Sequence, residues 1–281
     1  MKQLLTLLPL LMFGIATAGF AQRAANPLKG EPTNAKEADG QKAKTDALTE
    51  ERYQALVAKL PPDQQAWERV LQTQLGGFYL PSHKRAKVAG QSTAWDFVPD
   101  DPKLPRVLLI GDSVSRGYTQ AARQALAGRA NVHRAPANCG PAERGLKNLE
   151  VWLGDGKWDV IHFNFGIHDR NTPIADYTQQ LEQLIERMKK TGAKLIWAST
   201  TPIPDYPKND YKSASIVEHN QAAAEMMKKH SIPVDDLFAA VTPHLGDYQR
   251  TNDVHFKEEG SDFLGQQVAK AILARLNGSK N

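Results

Sequence analysis

The sequence predicts an α/β fold built on a parallel sheet with helices on both faces, and three observations carry that prediction. From Arg106 onward, apolar runs of strand length alternate with amphipathic stretches of helix length. The strongest run, Val107-Leu108-Leu109-Ile110, is continuously apolar, the pattern of a strand buried on both faces. Each run is followed by a helix-length segment before the next run, and repeated β–α alternation implies right-handed crossovers within one sheet.

The elements follow in order. After the first strand, Tyr118, Ala121, Ala122, Ala125 and Leu126 mark a helix. Asn131 to Ala135 is a weaker strand, and Gly145 to Leu153 a helix. Val160 to Asn164 is the third strand. Thr172-Pro173 opens a helix, a cap followed by proline at the first helical position, with Tyr177, Leu181, Leu184, Ile185 and Met188 on one face. Lys194 to Ser199 is the fourth strand, Ser215 to His230 a helix, Ile232 to Leu237 a short fifth strand, and Asp262 to Leu276 the final helix. Ligands in such sheets bind at the carboxyl ends of the strands.

Upstream, the chain divides into three parts. Met1-Lys2 is followed by an apolar run from Leu4 to Ile15, short for a membrane span, and then by small residues up to Ala18 and Ala21. Residues 1–21 therefore read as a secretory signal cleaved after Ala18 or Ala21, and the expected location is periplasmic or extracellular. Residues 22–46 lack apolar periodicity and read as a flexible linker. Residues 47–104 form a helical extension expected to pack on the main domain, residues 105–281. Tyr53, Leu56, Val57 and Leu60 share one helix face, Pro61-Pro62 ends that helix, and Asp63 caps a second one that stops at Gly76-Gly77. Phe78-Tyr79-Leu80-Pro81 and Trp95-Asp96-Phe97-Val98 read as irregular segments.

Composition narrows the function. The 281 residues carry 35 Lys+Arg against 31 Asp+Glu, a net charge of +4 spread along the chain rather than gathered in a block. A nucleic-acid role has no support from that pattern. No second apolar stretch reaches membrane-spanning length, so no stable membrane insertion is expected once the signal is removed. Cys139 is the only cysteine, so an internal disulfide is excluded. Neither a Gly-x-Gly-x-x-Gly fingerprint nor a Walker loop follows the first strand, which sets nucleotide binding aside.

Gly111-Asp112-Ser113 follows that strand at once. A serine at a strand's carboxyl end that also opens a helix sits where partial positive charge favours a developing oxyanion. Taken alone, Ser113 reads better as an ordinary helix cap. It needs a base, and His255 precedes the final helix, in a loop at the same sheet edge. Asp112 is expected to brace the turn. Arg116, one turn further on, is a candidate for binding an anionic or hydroxylated substrate. Asp169 with His162, His168 and His255 offers metal-ligand chemistry, but no helical His-x-x-x-His or cysteine pair supports a metal site.

These pieces together resemble the SGNH (GDSL) hydrolases: Gly111-Asp112-Ser113, a glycine loop after the second strand, Gly166-Ile167-His168-Asp169 after the third, and Asp253-Val254-His255 near the end, over roughly residues 105–277. The resemblance implies a flavodoxin-like three-layer α/β/α sandwich with a five-stranded sheet, and ester hydrolysis by Ser113 and His255 with no metal or other cofactor. It implies an oxyanion hole from the N–H groups of Ser113 and Gly140, with Gly145 as a fallback. The family's donor asparagine is replaced here by His168, whose imidazole can also donate. The family's acid lies three residues before the histidine, where this chain has Asn252, while Asp253 lies two before; either can orient His255. The wording around the third strand and around His255 is similar to exported bacterial members near the carbohydrate acetylesterases. The expected substrate is a small-molecule or polysaccharide ester, first of all an O-acetylated sugar. A non-catalytic carbohydrate-binding relative, or a lipase or thioesterase of the same fold, is the alternative.

Overall fold

The computed structural model describes residues 33–154 and 156–278, and the signal-like segment lies outside them. The chain divides into two compact units, Met1–Lys44 and Thr45–Asn281. Of the first, only residues 33–44 are described, and they are helical.

The second unit holds the sheet. Its strands are β1 (Arg106–Ile110), β2 (Asn131–Arg134), β3 (Val160–Phe163), β4 (Lys194–Ala198) and β5 (Val234–Asp235), all parallel, in the order β2-β1-β3-β4-β5. This is the flavodoxin-like order, in which the chain reverses direction across the sheet between β1 and β3. Alternate residues of each strand point to opposite faces. Leu108, Ile110, Ile161 and Phe163 pack against α5 (Ala142–Leu153), α6 (Ile174–Lys189) and α7 (Ser213–Lys229). Val107, Leu109 and Val160 pack against α4 (Ser113–Ala125) and α10 (Glu258–Asn277). Both faces are thus dry, which is why β1 reads as an unbroken apolar run. Among the described residues no helix is long and apolar enough to cross a membrane.

β2 is an edge strand and explains its own weak pattern. Asn131 accepts from the Asp101 N–H and donates to the Asp101 and Leu104 carbonyls; His133 Nε2 lies 2.7 Å from Asp100. Its polar side chains therefore anchor the extension, which covers an edge that would otherwise offer unpaired backbone groups.

The extension comprises α1 (Thr33–Val57), α2 (Pro62–Gln74) and α3 (Gly76–Val88). Two expectations are corrected here. Thr33 to Asp46, read as linker, belongs to α1: Ala, Lys, Glu and Gln favour a helix without an apolar stripe. Residues 78–81, read as irregular, lie inside α3. Gly76, at φ 66°, turns the chain from one helix into the next instead of ending helical structure. At the extension's centre Glu68 is fully buried. It accepts from the Tyr53 hydroxyl at 2.8 Å and lies 2.9 Å from His83 and 2.5 Å from Lys87. Toward the C-terminus, β5 is shorter than predicted. α8 (Leu237–Val241), a 3-10 turn and α9 (Leu245–Tyr248) follow it, too short for periodicity to reveal.

Candidate active site

The site is built at the carboxyl edge of the sheet, beside the β1/β3 reversal. β1 ends at Ile110 and α4 begins at Ser113, so only Gly111 and Asp112 make the turn. A side chain at Gly111 would come within 2.8 Å of Ser115 Oγ, so only glycine lets the helix start this close to the strand. Asp112 caps α4 by accepting from the Val114 N–H at 2.9 Å, as the sequence suggested for a bracing residue. The remaining first-turn N–H groups, that of Ser113 among them, have no intrahelical acceptor.

The loop from Gln249 to Phe256 closes on itself through a bridge between those two residues and carries His255 to the same edge. The Ser113 hydroxyl lies 2.7 Å from His255 Nε2 although 142 positions separate the two residues. On the other side of the ring, His255 Nδ1 lies 2.7 Å from Asp253 Oδ1, which also accepts from the His255 backbone N–H at 3.2 Å. Burial alone would raise the Asp253 pKa, but these bonds from His255 hold it below the ordinary aspartate value. Of the two candidates it is Asp253, not Asn252, that the structure brings onto His255. Asn252 is exposed, stands at φ 55° in the turn, and makes no hydrogen bond to His255. Asparagine tolerates that left-handed conformation better than most residues.

The other candidate residues are placed as follows. Gly140 is buried in the loop after β2, at φ 70°, and the neighbouring Cys139 N–H donates to the Gly111 carbonyl at 3.1 Å. That bond pins the Gly140 loop to the Ser113 turn. Gly145, the fallback, lies instead inside α5 against Phe165 and Leu184. Burial pushes the Cys139 thiol up to about 11, the state of an inert filler. His168 is exposed on the 3-10 turn Ile167–Asp169, outside the lining of the cavity at Ser113, and makes no side-chain hydrogen bond among the described residues. Asp169 beside it is buried and accepts from the Ala142 N–H at 2.9 Å. Among the described residues Asp169, His162, His168 and His255 do not come together as a cluster: Asp169 bonds to Ala142, His162 faces Asp235 at 2.9 Å, His168 is exposed, and His255 pairs with Ser113.

Sequence reasoning missed two contributions. Arg134, 1% exposed, donates to the carbonyls of Gly111 (3.2 Å) and Asp112 (2.8 Å), tying β2 to the serine turn. Its one signal is a lone arginine in a strand. The second is the pair of rings that the extension, expected to brace the domain and shape the mouth of the site, places there. Phe78 and Tyr79 line the same cavity of about 560 Å³ as Ser113, Arg116 and His255. The Arg116 guanidinium lies 5.6 Å from the Tyr79 ring and 6.0 Å from that of Trp95. A larger cavity, about 850 Å³ and walled by Trp67, Trp152 and Trp158, lies away from this chemistry.

A family model described as GDSL-like lipase/acylhydrolase matches residues 109–263, more than half of the 281. The chain belongs to this family. It is accordingly an ester hydrolase, acting on acyl esters. Among solved structures, a lipase/acylhydrolase from Enterococcus faecalis is similar at 24% identity with a TM-score of 0.55, over 61% of this chain and 96% of that one. An acetyl xylan esterase is similar at 14% identity and TM-score 0.52, over 59% and 99%. A GDSL-like lipase from Bacteroides thetaiotaomicron is similar at 18% identity and TM-score 0.51, over 68% and 97%. At these identities the likeness is one of fold. No curated protein matches the chain. The GDSL family match begins after the extension, so α1 to α3 and the cleft wall they supply lie outside the matched region.

Proposed function

We propose that this GDSL hydrolase cleaves small acyl esters through Ser113, His255 and Asp253, and that its substrates are O-acetylated carbohydrates. The observation that carries the reading is the 2.7 Å separation of Ser113 Oγ and His255 Nε2, with Asp253 on the far ring nitrogen. The Asp253 carboxylate accepts a hydrogen bond from Nδ1–H, which keeps the proton on that nitrogen and leaves Nε2 free to accept. As Ser113 Oγ attacks the ester carbonyl, its proton passes to Nε2. Collapse of the tetrahedral species breaks the ester C–O bond, and the leaving alcohol takes that proton. A water then gives a proton to Nε2 and attacks the acyl-serine; the acid departs and Ser113 regains its hydrogen.

The oxyanion is met by the N–H groups of Ser113 and Gly140; His168, exposed and outside the lining of the Ser113 cavity, joins them as a third donor only by movement of its turn toward the bound ester. A donor of this kind acts on transition-state charge, so His168→Ala should lower kcat roughly 100-fold with little change in KM. An unchanged kcat would leave the oxyanion to the two backbone groups. We further propose that the protein works outside the cytoplasm after loss of residues 1–21.

The decisive experiment is labelling with a fluorophosphonate at neutral pH. The parent protein should be modified at Ser113 and should hydrolyse a chromogenic acetate, and Ser113→Ala should do neither. Undiminished labelling of Ser113→Ala would remove Ser113 from the nucleophile's place. Activity that vanished on dialysis against EDTA and returned with zinc would remove the serine mechanism itself.

A further inference from the structure

The cavity at Ser113 has one wall that the matched GDSL region does not supply. Phe78 stands on its rim with 82% of its surface exposed. This ring does not hang free. It meets Tyr79 edge-to-face at 4.8 Å, and Tyr79 meets Trp95 in the same way at 5.3 Å. Trp95 is buried, and its carbonyl accepts from Trp67 Nε1 at 2.7 Å. A ladder of three rings thus runs from the extension's core to the cleft and presents the last one to solvent. Such edge-to-face contacts fix ring orientation, so the exposed face is preorganised.

The rest of the cavity mixes small, apolar and uncharged residues with four charged groups of a particular kind. Arg116 and Arg250 supply planar two-point donors, and Glu258 and Asp262 planar two-point acceptors. Among the described residues none of the four takes part in an ion pair, and their formal charges cancel. A cleft with no net charge selects neither an anion nor a cation. Bidentate donors and acceptors set around an aromatic face suit adjacent hydroxyls on a ring whose C–H face is apolar.

We propose that Phe78 is the stacking platform of an alcohol-side subsite for a neutral polyhydroxylated ring, with Arg116, Arg250, Glu258 and Asp262 as its hydroxyl partners. The inference rests on the ester-hydrolase reading of Ser113 and adds where the alcohol is held. Because the platform lies outside the matched family region, the extension sets substrate choice while the sheet edge performs the chemistry.

The test separates binding from turnover. Calorimetry on Ser113→Ala with a mono-O-acetylated methyl hexopyranoside reads the subsite without hydrolysis. Adding Phe78→Ala should weaken binding roughly tenfold, and Phe78→Trp in its place should restore it. In the chain that retains Ser113, Phe78→Ala should lower kcat/KM for the acetylated pyranoside about tenfold relative to that for ethyl acetate, mainly through KM. Equal losses on the two esters, or pyranoside binding indifferent to Phe78, would overturn the subsite. Phe78-dependent binding in a protein that hydrolyses neither ester would overturn the nucleophile instead and leave the subsite standing.

Discussion

Asp253 and Asn252 are adjacent and nearly isosteric, yet their backbone conformations divide the work between them. Asn252 takes the left-handed turn at φ 55°, which frees Asp253 to fold back onto His255. Asp253→Ala should therefore lower kcat by about 10³–10⁴, by analogy with the loss of the acid in serine-protease triads. Asn252→Gly keeps the turn and should leave kcat within a few-fold. A larger fall in Asn252→Gly than in Asp253→Ala would reverse the assignment. The depressed Asp253 pKa keeps this carboxylate charged at and above the ordinary carboxylate range. Its orienting effect is thus present at neutral pH and is lost only as pH falls through its lowered value. Arg134 acts on the other side of the site. Arg134→Met removes one donor from each of the Gly111 and Asp112 carbonyls, which keep the Cys139 N–H and the Arg116 N–H and Ser115 hydroxyl respectively, at a cost of about 1 kcal/mol for each hydrogen bond lost. Urea unfolding should show that loss together with a lower kcat, and Arg134→Lys should recover part of both.

Between elements, the joint that matters most is the one from the turn after β3 to the start of α5. Asp169 makes it through the Ala142 N–H, and burial raises its pKa to about 7. A carboxyl raised in the folded state is protonated there while the unfolded chain has already ionised. Its contribution to stability is therefore complete below about pH 3.8 and is lost as pH rises through about 7. Asp169→Asn keeps an oxygen for Ala142 but cannot ionise. Denaturation curves between pH 4 and 8 should show the parent's stability falling relative to that of Asp169→Asn as pH rises. Parallel curves would show that Asp169 is not the titrating group.

For the whole molecule, the extension is both the cover of the β2 edge and one wall of the cleft. Deleting residues 22–44 removes a helical stretch whose described side chains are exposed, and should leave the melting temperature almost unchanged. Deleting residues 22–104 strips Asn131 and His133 of their partners, uncovers the edge strand and removes Phe78 and Tyr79. Solubility and melting temperature should both fall, and equal melting temperatures for the long deletion and the parent would contradict this. The extension has its own acid limit. Burial works against the Glu68 charge, but hydrogen bonds from His83, Lys87 and Tyr53 prevail and lower its pKa to about 2. That stabilisation is in place above the unfolded value of 4.5 and is lost as pH falls toward about 2.

The sequence by itself determined the sheet and the elements of the reaction. A strand dry on both faces favours a continuous apolar run, so β1 and β4 could be read directly, and β3 despite the His162 within it, which Asp235 satisfies. Ser113 was legible because a serine three residues beyond the end of such a strand must lie at its carboxyl end. Tertiary structure decided what depends on backbone angles and on contacts between distant segments. Nothing in Asn252-Asp253 announces which residue turns left-handed; the closure of the loop between Gln249 and Phe256 fixes it. Arg134 reads as a blemish in a weak strand until the serine turn lies over it. Phe78 and Tyr79 read as irregular because the two glycines before them signal a stop, whereas a positive φ at Gly76 redirects the chain into α3. Their place in the cleft follows from the extension packing along the β2 edge. No local pattern encodes that choice, because it is made by the burial of aromatic side chains against a surface that exists only once the sheet has formed.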